Sequence, residues 1–502
     1  MLAAVRLDTQ FHVGSVDRRI FGGFLEHVGR AVYEGIFDPD SPRSDAQGFR
    51  EDVLDALQTL GMSLIRYPGG NFVSGYDWRD GIGPVHDRPT RPDFAWKTIE
   101  PNRFGTDEFL AWCTKLQAQP MLAVNLGTAG TLEAAQLLEY CNLPGGTYWA
   151  DRRVQGGHAL PHGVPLWCLG NEMDGPWQAG HVPAEVYAQR AEQAAIVMRG
   201  LDPSIQTVVC GTSARKLNTY LEWDRTVLEY CWDCADYIST HRYSGNERQD
   251  SAWYLAEGVL LDQVLDEYGA LLDYMRAVKK SSKRVYLAFD EWNVWYRTTS
   301  REASDGRWTR APHLLEEFYN LEDALVCAQY LASFVRHADT VKIACIAQVV
   351  NAIAPLVTGP SGVLIQSTYY PLQLFSQFAH GLALTPAVTT PTYRAADRGD
   401  VPMLDVAATL ETESATLSAF LINRSLSDDL TVTVDCVDRP IERLVSVSAL
   451  GGDPKAANTW DAPHRVAPAQ GTAELAQAGT LRVQVPTTSL VVVRALVTGV
   501  NG

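Results

Sequence analysis

Between residues 18 and 380, short apolar runs alternate with longer amphipathic segments, and this alternation constrains the fold more than any other feature. Eight runs have strand character, beginning at Ile20, Ser63, Pro120, Pro165, Gln206, Asp236, Arg284 and Lys342. Continuous apolar runs of this kind are typical of strands buried on both faces, as in a parallel sheet. Between them, apolar residues recur at helical spacing, as in FREDVLDALQTLGM and PAEVYAQRAEQAAIVMRGL.

Eight strands alternating with helices predict an α/β fold, a (β/α)8 barrel with long loops, over residues 18–380. A doubly wound open sheet is the alternative. It is disfavoured because no GxGxxG or P-loop motif follows the first run.

The chain changes character after Gly381. Apolar and polar residues alternate with a period of two in ATLSAFLINRS, DLTVTVDCV, GTLRVQV and TSLVVVRALV. Several short strands with turn residues between them predict an antiparallel, jelly-roll-like β-sandwich over residues 381–502. The N-terminal segment AVRLDTQFHV also alternates, so we expect residues 1–17 to add a strand to that sandwich.

Charge and cysteine content limit the possible partners. The formal net charge of −17 repels phosphate groups, so nucleic acids and anionic membrane surfaces are not expected partners. No run of about 18 apolar residues predicts a membrane span, and MLAAVRLDTQFHVG lacks a signal-peptide core. The 9 cysteines are scattered without a framework spacing, which indicates reduced thiols in the cytoplasm.

One CxxC motif occurs, from Cys231 to Cys234. No second CxxC or nearby histidine pair completes a zinc site, and no thioredoxin-like context surrounds it. We therefore interpret it as a helix end with buried thiols, and expect neither a metal nor a cofactor.

Polar side chains follow six of the eight predicted strands, at their carboxyl ends. They are Glu26, His27, Arg66, Asn71, Asn171, Glu172, His241, Arg242, Tyr243, Asp290, Glu291, Asn293, Gln348 and Asn351. The carboxyl ends of barrel strands are where barrel enzymes carry their active sites, so we expect these groups to converge.

Two of these carboxyl groups, Glu172 and Glu291, have the chemistry to cleave an acetal. One protonates the leaving oxygen, and the other attacks the anomeric carbon or activates water. We expect apolar neighbours to raise the pKa of the acid, with Trp167 beside one carboxyl group and Trp292 and Trp295 beside the other.

Hydrogen-bond donors should keep the second carboxyl group ionised, and Arg66 and Tyr243 are the nearest candidates. Asn171 precedes the proposed acid, where its amide can donate to a sugar hydroxyl. A single glutamate at a strand end is nevertheless more often a cap or a surface ion pair, and a single histidine such as His241 more often a structural hydrogen-bonding residue. Residue types alone leave both interpretations open.

Longer motifs favour catalysis. RYPGGN at 66–71, GNEMDG at 170–175, HRYSGN at 241–246 and FDEWNVW at 289–295 closely resemble the intracellular α-L-arabinofuranosidases of glycoside hydrolase family 51. FGGFLEHVGRAVYEGIFDPDSP and YYPLQLFSQFAHG are similar to that family too, so the resemblance covers nearly the whole chain.

The resemblance implies a retaining double displacement with Glu172 as general acid/base and Glu291 as nucleophile. It implies contacts to the arabinose hydroxyls or the nucleophile from Glu26, Asn71, Asn171, Tyr243 and Gln348. It further implies supporting roles for Arg66 and His241, and pocket aromatics at Trp96 and Trp295. Members of the family are commonly hexameric and need no metal.

The function implied is the exo-acting release of terminal α-L-arabinofuranosyl groups from arabino-oligosaccharides and arabinoxylan fragments. Loops 77–96 and 297–313 are expected to set the accepted leaving group. A β-xylosidase or endoglucanase on the same scaffold is an alternative, because xylopyranose resembles arabinofuranose in its hydroxyl pattern. A non-catalytic sugar-binding protein is a further alternative.

Overall fold

The computed structural model describes residues 1–296, 308–476 and 479–498, and its central feature is a closed barrel of eight parallel strands. In chain order, strands β1 to β8 are Gly22–Phe24, Leu64–Tyr67, Gln119–Ala123, Leu166–Leu169, Gln206–Val209, Tyr237–Ser244, Tyr286–Val294 and Val341–Ala347. Each strand pairs with its neighbour in sequence, and Cys345 of β8 lies opposite Gly22 of β1 to close the barrel. The predicted (β/α)8 barrel is confirmed.

Helices surround the barrel. In chain order, α1 to α10 are Glu51–Leu60, Thr106–Leu116, Thr131–Asn142, Tyr148–Gln155, Ala184–Leu201, Glu222–Cys231, Ser251–Tyr254, Glu257–Val278, Leu321–Arg336 and Tyr369–Phe378. Helix α1, from the segment FREDVLDALQTLGM, buries Val53, Leu54, Leu57 and Leu60. It ends at Gly61, whose φ of 82° few other residues adopt without strain.

Alternation along the barrel strands separates two apolar layers. In β4, Leu166 and Cys168 face the barrel interior, where they join residues such as Phe24 and Met121. Trp167 and Leu169 face the layer between the strands and the helices. Because both layers are filled with apolar side chains, polar groups collect where the strands end.

The C-terminal part, together with two strands from the N-terminus, forms two further sheets around a separate apolar core. In spatial order, one sheet contains Ala387–Thr389, Leu2–Leu7, Leu430–Cys436, Thr480–Val485 and Ala473–Ala476. The other contains His12–Ser15, Leu382–Leu384, Leu404–Glu411, Thr416–Asn423, Ser489–Val497, Ile441–Gly451 and Ala469–Gln470. Leu2–Leu7 pairs in parallel with Leu430–Cys436, in sheets whose other strand pairs are antiparallel. The domain bounds at residues 17 and 380 stay a prediction.

Short elements complete the described chain. Two-stranded hairpins pair Arg91–Asp93 with Thr98–Glu100, Leu356–Gly359 with Gly362–Ile365, and Thr392–Arg394 with Asp400–Pro402. Single 3-10 turns span Arg18–Phe21, Phe72–Gly75, Trp78–Gly81, Val85–Asp87 and Ala396–Arg398. All cysteines are buried and free, including the CxxC pair. Across the described residues, every helix is too short or too polar to span a bilayer.

Candidate active site

A cavity of about 470 Å³ opens at the carboxyl ends of the barrel strands. Of the site residues that the family resemblance implies, all line it except Arg66, which is buried directly behind it. These lining residues are Glu26, Asn71, Trp96, Asn171, Glu172, His241, Tyr243, Glu291, Trp295 and Gln348. Side chains from six strand ends thus converge at one place, as predicted.

Glu172 enters the cavity from a tight turn after β4. Gly170 and Glu172 both have positive φ values, 99° and 42°. The carboxylate accepts hydrogen bonds from Trp177 Nε1 at 2.5 Å and from His241 Nδ1 at 2.8 Å. A Cβ atom at Gly175 would lie 2.5 Å from the Trp177 ring, so a larger residue there would displace the indole. The GNEMDG sequence therefore shapes a turn in which the carboxylate and the indole meet.

Glu291 lies on β7 and is held on both oxygens. Arg66 Nη1 donates to Oε1 at 2.7 Å, and the Tyr243 hydroxyl donates to Oε2 at 2.8 Å. Burial raises the pKa of Glu291 above its usual range, and the positive charges of His241 and Arg66 oppose that rise. The two predicted donors thus contact this carboxylate in the structure.

The two carboxyl groups are close to each other. A carboxylate oxygen of Glu172, a carboxylate oxygen of Glu291 and a ring nitrogen of His241 lie within 4.8 Å of one another. Retaining glycosidases hold their carboxyl pair about 5–5.5 Å apart, whereas inverting enzymes need about 6.5–9.5 Å to admit a water molecule. The spacing favours direct attack by a carboxylate.

His241 bridges the acidic groups. Its Nε2 lies 3.1 Å from Asp290 Oδ1, while Nδ1 lies 2.8 Å from Glu172 and 3.6 Å from Glu291 Oε2. Burial alone would lower the pKa of His241, but the three carboxylates outweigh burial and raise this pKa well above its usual value. A protonated imidazole donates from both nitrogens and is not a metal ligand, so this cluster suits proton transfer rather than metal binding.

Arg66 organises the layer behind the cavity. Its side chain is only 1% exposed, and its guanidinium stacks on the Phe24 ring at 4.6 Å. Besides Glu291, it donates from Nη2 to Asn171 Oδ1 at 2.6 Å, and Nε lies 3.1 Å from Asp290. Because the oxygen of the Asn171 amide is bound to Arg66, its amino group remains the donor for the cavity side.

Glu26 provides a third carboxyl group. It accepts hydrogen bonds from Phe72 N at 2.9 Å and Trp96 Nε1 at 3.0 Å, while Gln348 Oε1 accepts from Glu26 N at 2.7 Å. Burial raises the pKa of Glu26 to about 8, despite these hydrogen bonds. Near neutral pH this carboxyl group is largely protonated and can donate as well as accept.

Two tryptophan predictions are wrong. Trp167 and Trp292 do not line the cavity; both lie in the layer between barrel and helices. Trp167 donates to Val164 O, and Trp292 stacks on Tyr330 of α9 at 5.0 Å. Strand alternation explains both, since each tryptophan faces away from the barrel interior. Trp295 does line the cavity, and its ring meets the Tyr243 ring edge-on at 5.2 Å.

Asp290 was expected at the converging strand ends without an assigned role, and Trp177 was not singled out from the sequence. In a regular strand, consecutive side chains point to opposite faces. The register of β7 shifts against β6 and β8 at this point, and both carboxylates reach His241. The sequence marks Trp177 only weakly, as an aromatic residue just after the GNEMDG motif.

Loops 77–96 and 297–313 are the two loops proposed to determine which leaving group is accepted. Loop 77–96 contains two short 3-10 turns and a strand, and ends at Trp96 in the cavity. In loop 297–313, residues 297–307 lie outside the described residues.

Two family models match this chain. Residues 56–257 match the α-L-arabinofuranosidase 1 domain, and residues 290–489 match the α-L-arabinofuranosidase C-terminal domain. Together the matches span barrel strands β2 to β6, part of β7, all of β8 and most of the C-terminal sheets.

Individual relatives point to the same family as the two family models. An intracellular exo-α-(1→5)-L-arabinofuranosidase of Halalkalibacterium halodurans is 46% identical over 436 residues, covering 87% of each chain. An exo-α-(1→6)-L-arabinofuranosidase of Bifidobacterium longum is 40% identical over 497 residues, covering 96% of this chain and 95% of that protein.

A solved structure gives the same result. The structure of a family 51 α-L-arabinofuranosidase from Bifidobacterium longum superimposes with a TM-score of 0.94 and 37% identity, covering 98% of this chain and 99% of that one. The chain belongs to the α-L-arabinofuranosidases of glycoside hydrolase family 51.

Proposed function

We propose that the protein is a retaining, exo-acting glycoside hydrolase that releases non-reducing terminal α-L-arabinofuranosyl groups from arabino-oligosaccharides and arabinoxylan fragments. The observation that carries the proposal is the pair of carboxylates, Glu172 and Glu291, within 4.8 Å of one another in a cavity at the barrel end. Relatives named as exo-α-L-arabinofuranosidases support the substrate.

In the first step, Glu172 donates its proton to the glycosidic oxygen as the bond to the anomeric carbon breaks. A carboxylate oxygen of Glu291 forms a new bond to that carbon, and the leaving alcohol departs. The hydrogen bonds from Arg66 and Tyr243 support this role for Glu291, because they stabilise its ionised form and fix its orientation. The product is an arabinosyl ester on Glu291.

In the second step, Glu172 takes a proton from water while the water oxygen attacks the anomeric carbon. The ester bond breaks, Glu291 leaves as a carboxylate, and arabinose is released with its original anomeric configuration. His241 supports both steps, since its protonated ring contacts Glu172 and moderates the negative charge of the pair.

The remaining lining groups suit recognition of one sugar ring. We propose substrate contacts from Glu26, Asn71, Asn171, Tyr243, Gln348, Trp96 and Trp295, with Arg66 and His241 as positioning residues. Carboxyl and amide groups exchange hydrogen bonds with hydroxyls, and aromatic rings pack on the apolar face of a sugar. A cavity of about 470 Å³ is in the size range of small-molecule sites.

Location and assembly complete the proposal. Because the relative from Halalkalibacterium halodurans is named intracellular, we propose that the enzyme acts in the cytoplasm on short imported oligosaccharides. The family resemblance supports a homo-hexamer, which light scattering coupled to gel filtration would test.

A substrate screen tests the activity. Aryl α-L-arabinofuranoside should be hydrolysed with a much larger kcat/KM than aryl β-D-xyloside. Oligosaccharides of defined (1→2), (1→3), (1→5) and (1→6) linkage then identify the natural bond. A preference for the xyloside, or internal cleavage of a polymer, would contradict the proposal. Sugar binding without turnover would indicate a non-catalytic protein.

A further inference from the structure

A second histidine–carboxylate cluster lies outside the catalytic cavity. Its residues are Asp107, His158 and His162, and none of them lines the cavity. The Nε2 atoms of His162 and His158 both face Asp107 Oδ1, at 3.0 and 3.8 Å. The three donor atoms lie within 4.8 Å of one another. Two imidazoles therefore point at a single carboxylate oxygen.

The spacing suits a shared metal ion. Zinc binds imidazole nitrogen and carboxylate oxygen at about 2.0–2.2 Å, so ligands of a tetrahedral site lie about 3.4 Å apart. The two nitrogen–oxygen distances, 3.0 and 3.8 Å, fall on either side of that value. His158 thus faces the same oxygen that already lies within hydrogen-bond distance of His162.

Neighbouring groups hold the carboxylate in place. The Tyr140 hydroxyl donates to Asp107 Oδ2 at 2.6 Å, which leaves Oδ1 for the two histidines. A hydrogen bond of this kind to the distal oxygen is a common support for a metal-binding carboxylate. Asp107 itself lies in the first turn of α2.

The backbone of the histidine segment is fixed as well. Arg153, which is fully buried, donates from Nε to His158 O at 3.1 Å, and His158 N donates to Arg153 O at 3.2 Å. His162 N donates to Cys141 O at 2.7 Å. Both histidines are thus anchored before any ligand binds, and this preorganisation favours binding.

We propose that Asp107, His158 and His162 bind one zinc ion, which cross-links the start of α2 to the segment between α4 and β4. Imidazole and carboxylate donors suit zinc, and three protein ligands leave a position for solvent. The His158 side chain is 37% exposed, so the ion has a path from solvent. None of the three residues lines the catalytic cavity, so the ion adds to the proposed hydrolase function without taking part in it.

Zinc titration of metal-stripped protein tests the proposal, with calorimetry and thermal unfolding as readouts. Zinc should bind with a defined stoichiometry and raise Tm in a concentration-dependent way, because the ion binds the folded state. His158→Ala should weaken zinc binding at least about tenfold and remove the rise in Tm. His158 is the best site to change because its side chain is the most exposed of the three.

Two control variants isolate the site. His86→Ala removes a histidine that is 83% exposed and outside the cluster, and should keep the wild-type response. Glu172→Gln changes the catalytic cluster instead of the proposed zinc site, and should also keep the rise in Tm. The proposal is overturned if zinc leaves the Tm of wild-type protein unchanged, or if His158→Ala responds like wild type. Neither result bears on hydrolysis, which is measured separately.

Discussion

Glu172 and Glu291 are the same residue type at the same end of the barrel, yet their neighbours differ. Glu291 is held by a guanidinium and a phenol, whereas Glu172 meets an indole and a histidine that also contacts Asp290. Acid/base and nucleophilic roles require such different surroundings. Removing each partner should therefore have its own kinetic effect.

Glu291→Ala tests the nucleophile. Turnover should fall to background, since no carboxylate remains to attack the anomeric carbon. Added azide should restore cleavage of an aryl α-L-arabinofuranoside and give an azide product of inverted configuration, identified by NMR. Activity close to wild type without azide would show that another group attacks.

Asp290→Asn tests positioning. Asp290 contacts both His241 and Arg66, so loss of its charge weakens the support of both catalytic carboxyl groups. We expect kcat/KM to fall about 10- to 100-fold, because a hydrogen bond to a charged group is worth about 1.5–3 kcal/mol.

The pH profile distinguishes positioning from a general loss of structure. The profile of kcat/KM should shift in Asp290→Asn, since the pKa of His241 depends on that negative charge. Asp87→Asn, at an exposed position, should match wild type. A loss of activity with an unshifted profile would assign Asp290 a structural role only.

At the scale of elements, periodicity predicted the barrel well. All eight apolar runs contain barrel strands, and α1 and α5 lie within the two helical segments quoted from the sequence. Alternation within a strand also explains why Trp167 and Trp292 are outside the cavity. The register shift at which both Asp290 and Glu291 reach His241 was not predictable. It depends on the pairing of β7 with β6 and β8 rather than on local sequence.

The N-terminal strand Leu2–Leu7 offers a test at this scale. Leu7 is 1% exposed in the sandwich core, and Leu2 in the same strand is 77% exposed. Leu7→Ala should lower the free energy of unfolding by about 2–5 kcal/mol, measured by denaturant titration. Leu2→Ala should change it by less than about 0.5 kcal/mol. Equal effects of the two substitutions would contradict the packing described for this strand.

For the whole molecule, burial of several carboxyl groups in one cavity links stability to pH. The folded-state pKa of Glu26, about 8, exceeds the value of an unfolded chain, so the folded protein binds more protons between these values. Stability therefore falls as pH rises from about 5 to 8 and depends little on Glu26 above that. This pH window lies between the pKa of a glutamate in an unfolded chain and the raised pKa of Glu26 in the folded protein.

Glu26→Gln removes this titration. Its Tm should fall less than that of wild type between about pH 5 and pH 8, in thermal scans at fixed ionic strength. Parallel Tm curves for the two proteins would show that Glu26 has no raised pKa.

The overall architecture and most cavity-lining residues were predictable from sequence because strand ends and family motifs carry that information. Some hydrogen-bond partners were not, since Asp290 meets His241 and Arg66 only when separate strands close into a barrel. The zinc cluster is a similar case. Asp107 is far in sequence from His158 and His162, and no CxxC-like spacing marks it.

The central claim is that Glu291 carries the arabinosyl group between two steps in which Glu172 acts as acid and then as base. Glu172→Ala, supplied with an aryl α-L-arabinofuranoside that has a good leaving group, should complete the first step and stall in the second. Peptide mass spectrometry of the acid-quenched variant should then find one arabinosyl residue on the peptide containing Glu291. An adduct on another residue, or arabinose of inverted configuration without any adduct, would contradict the account.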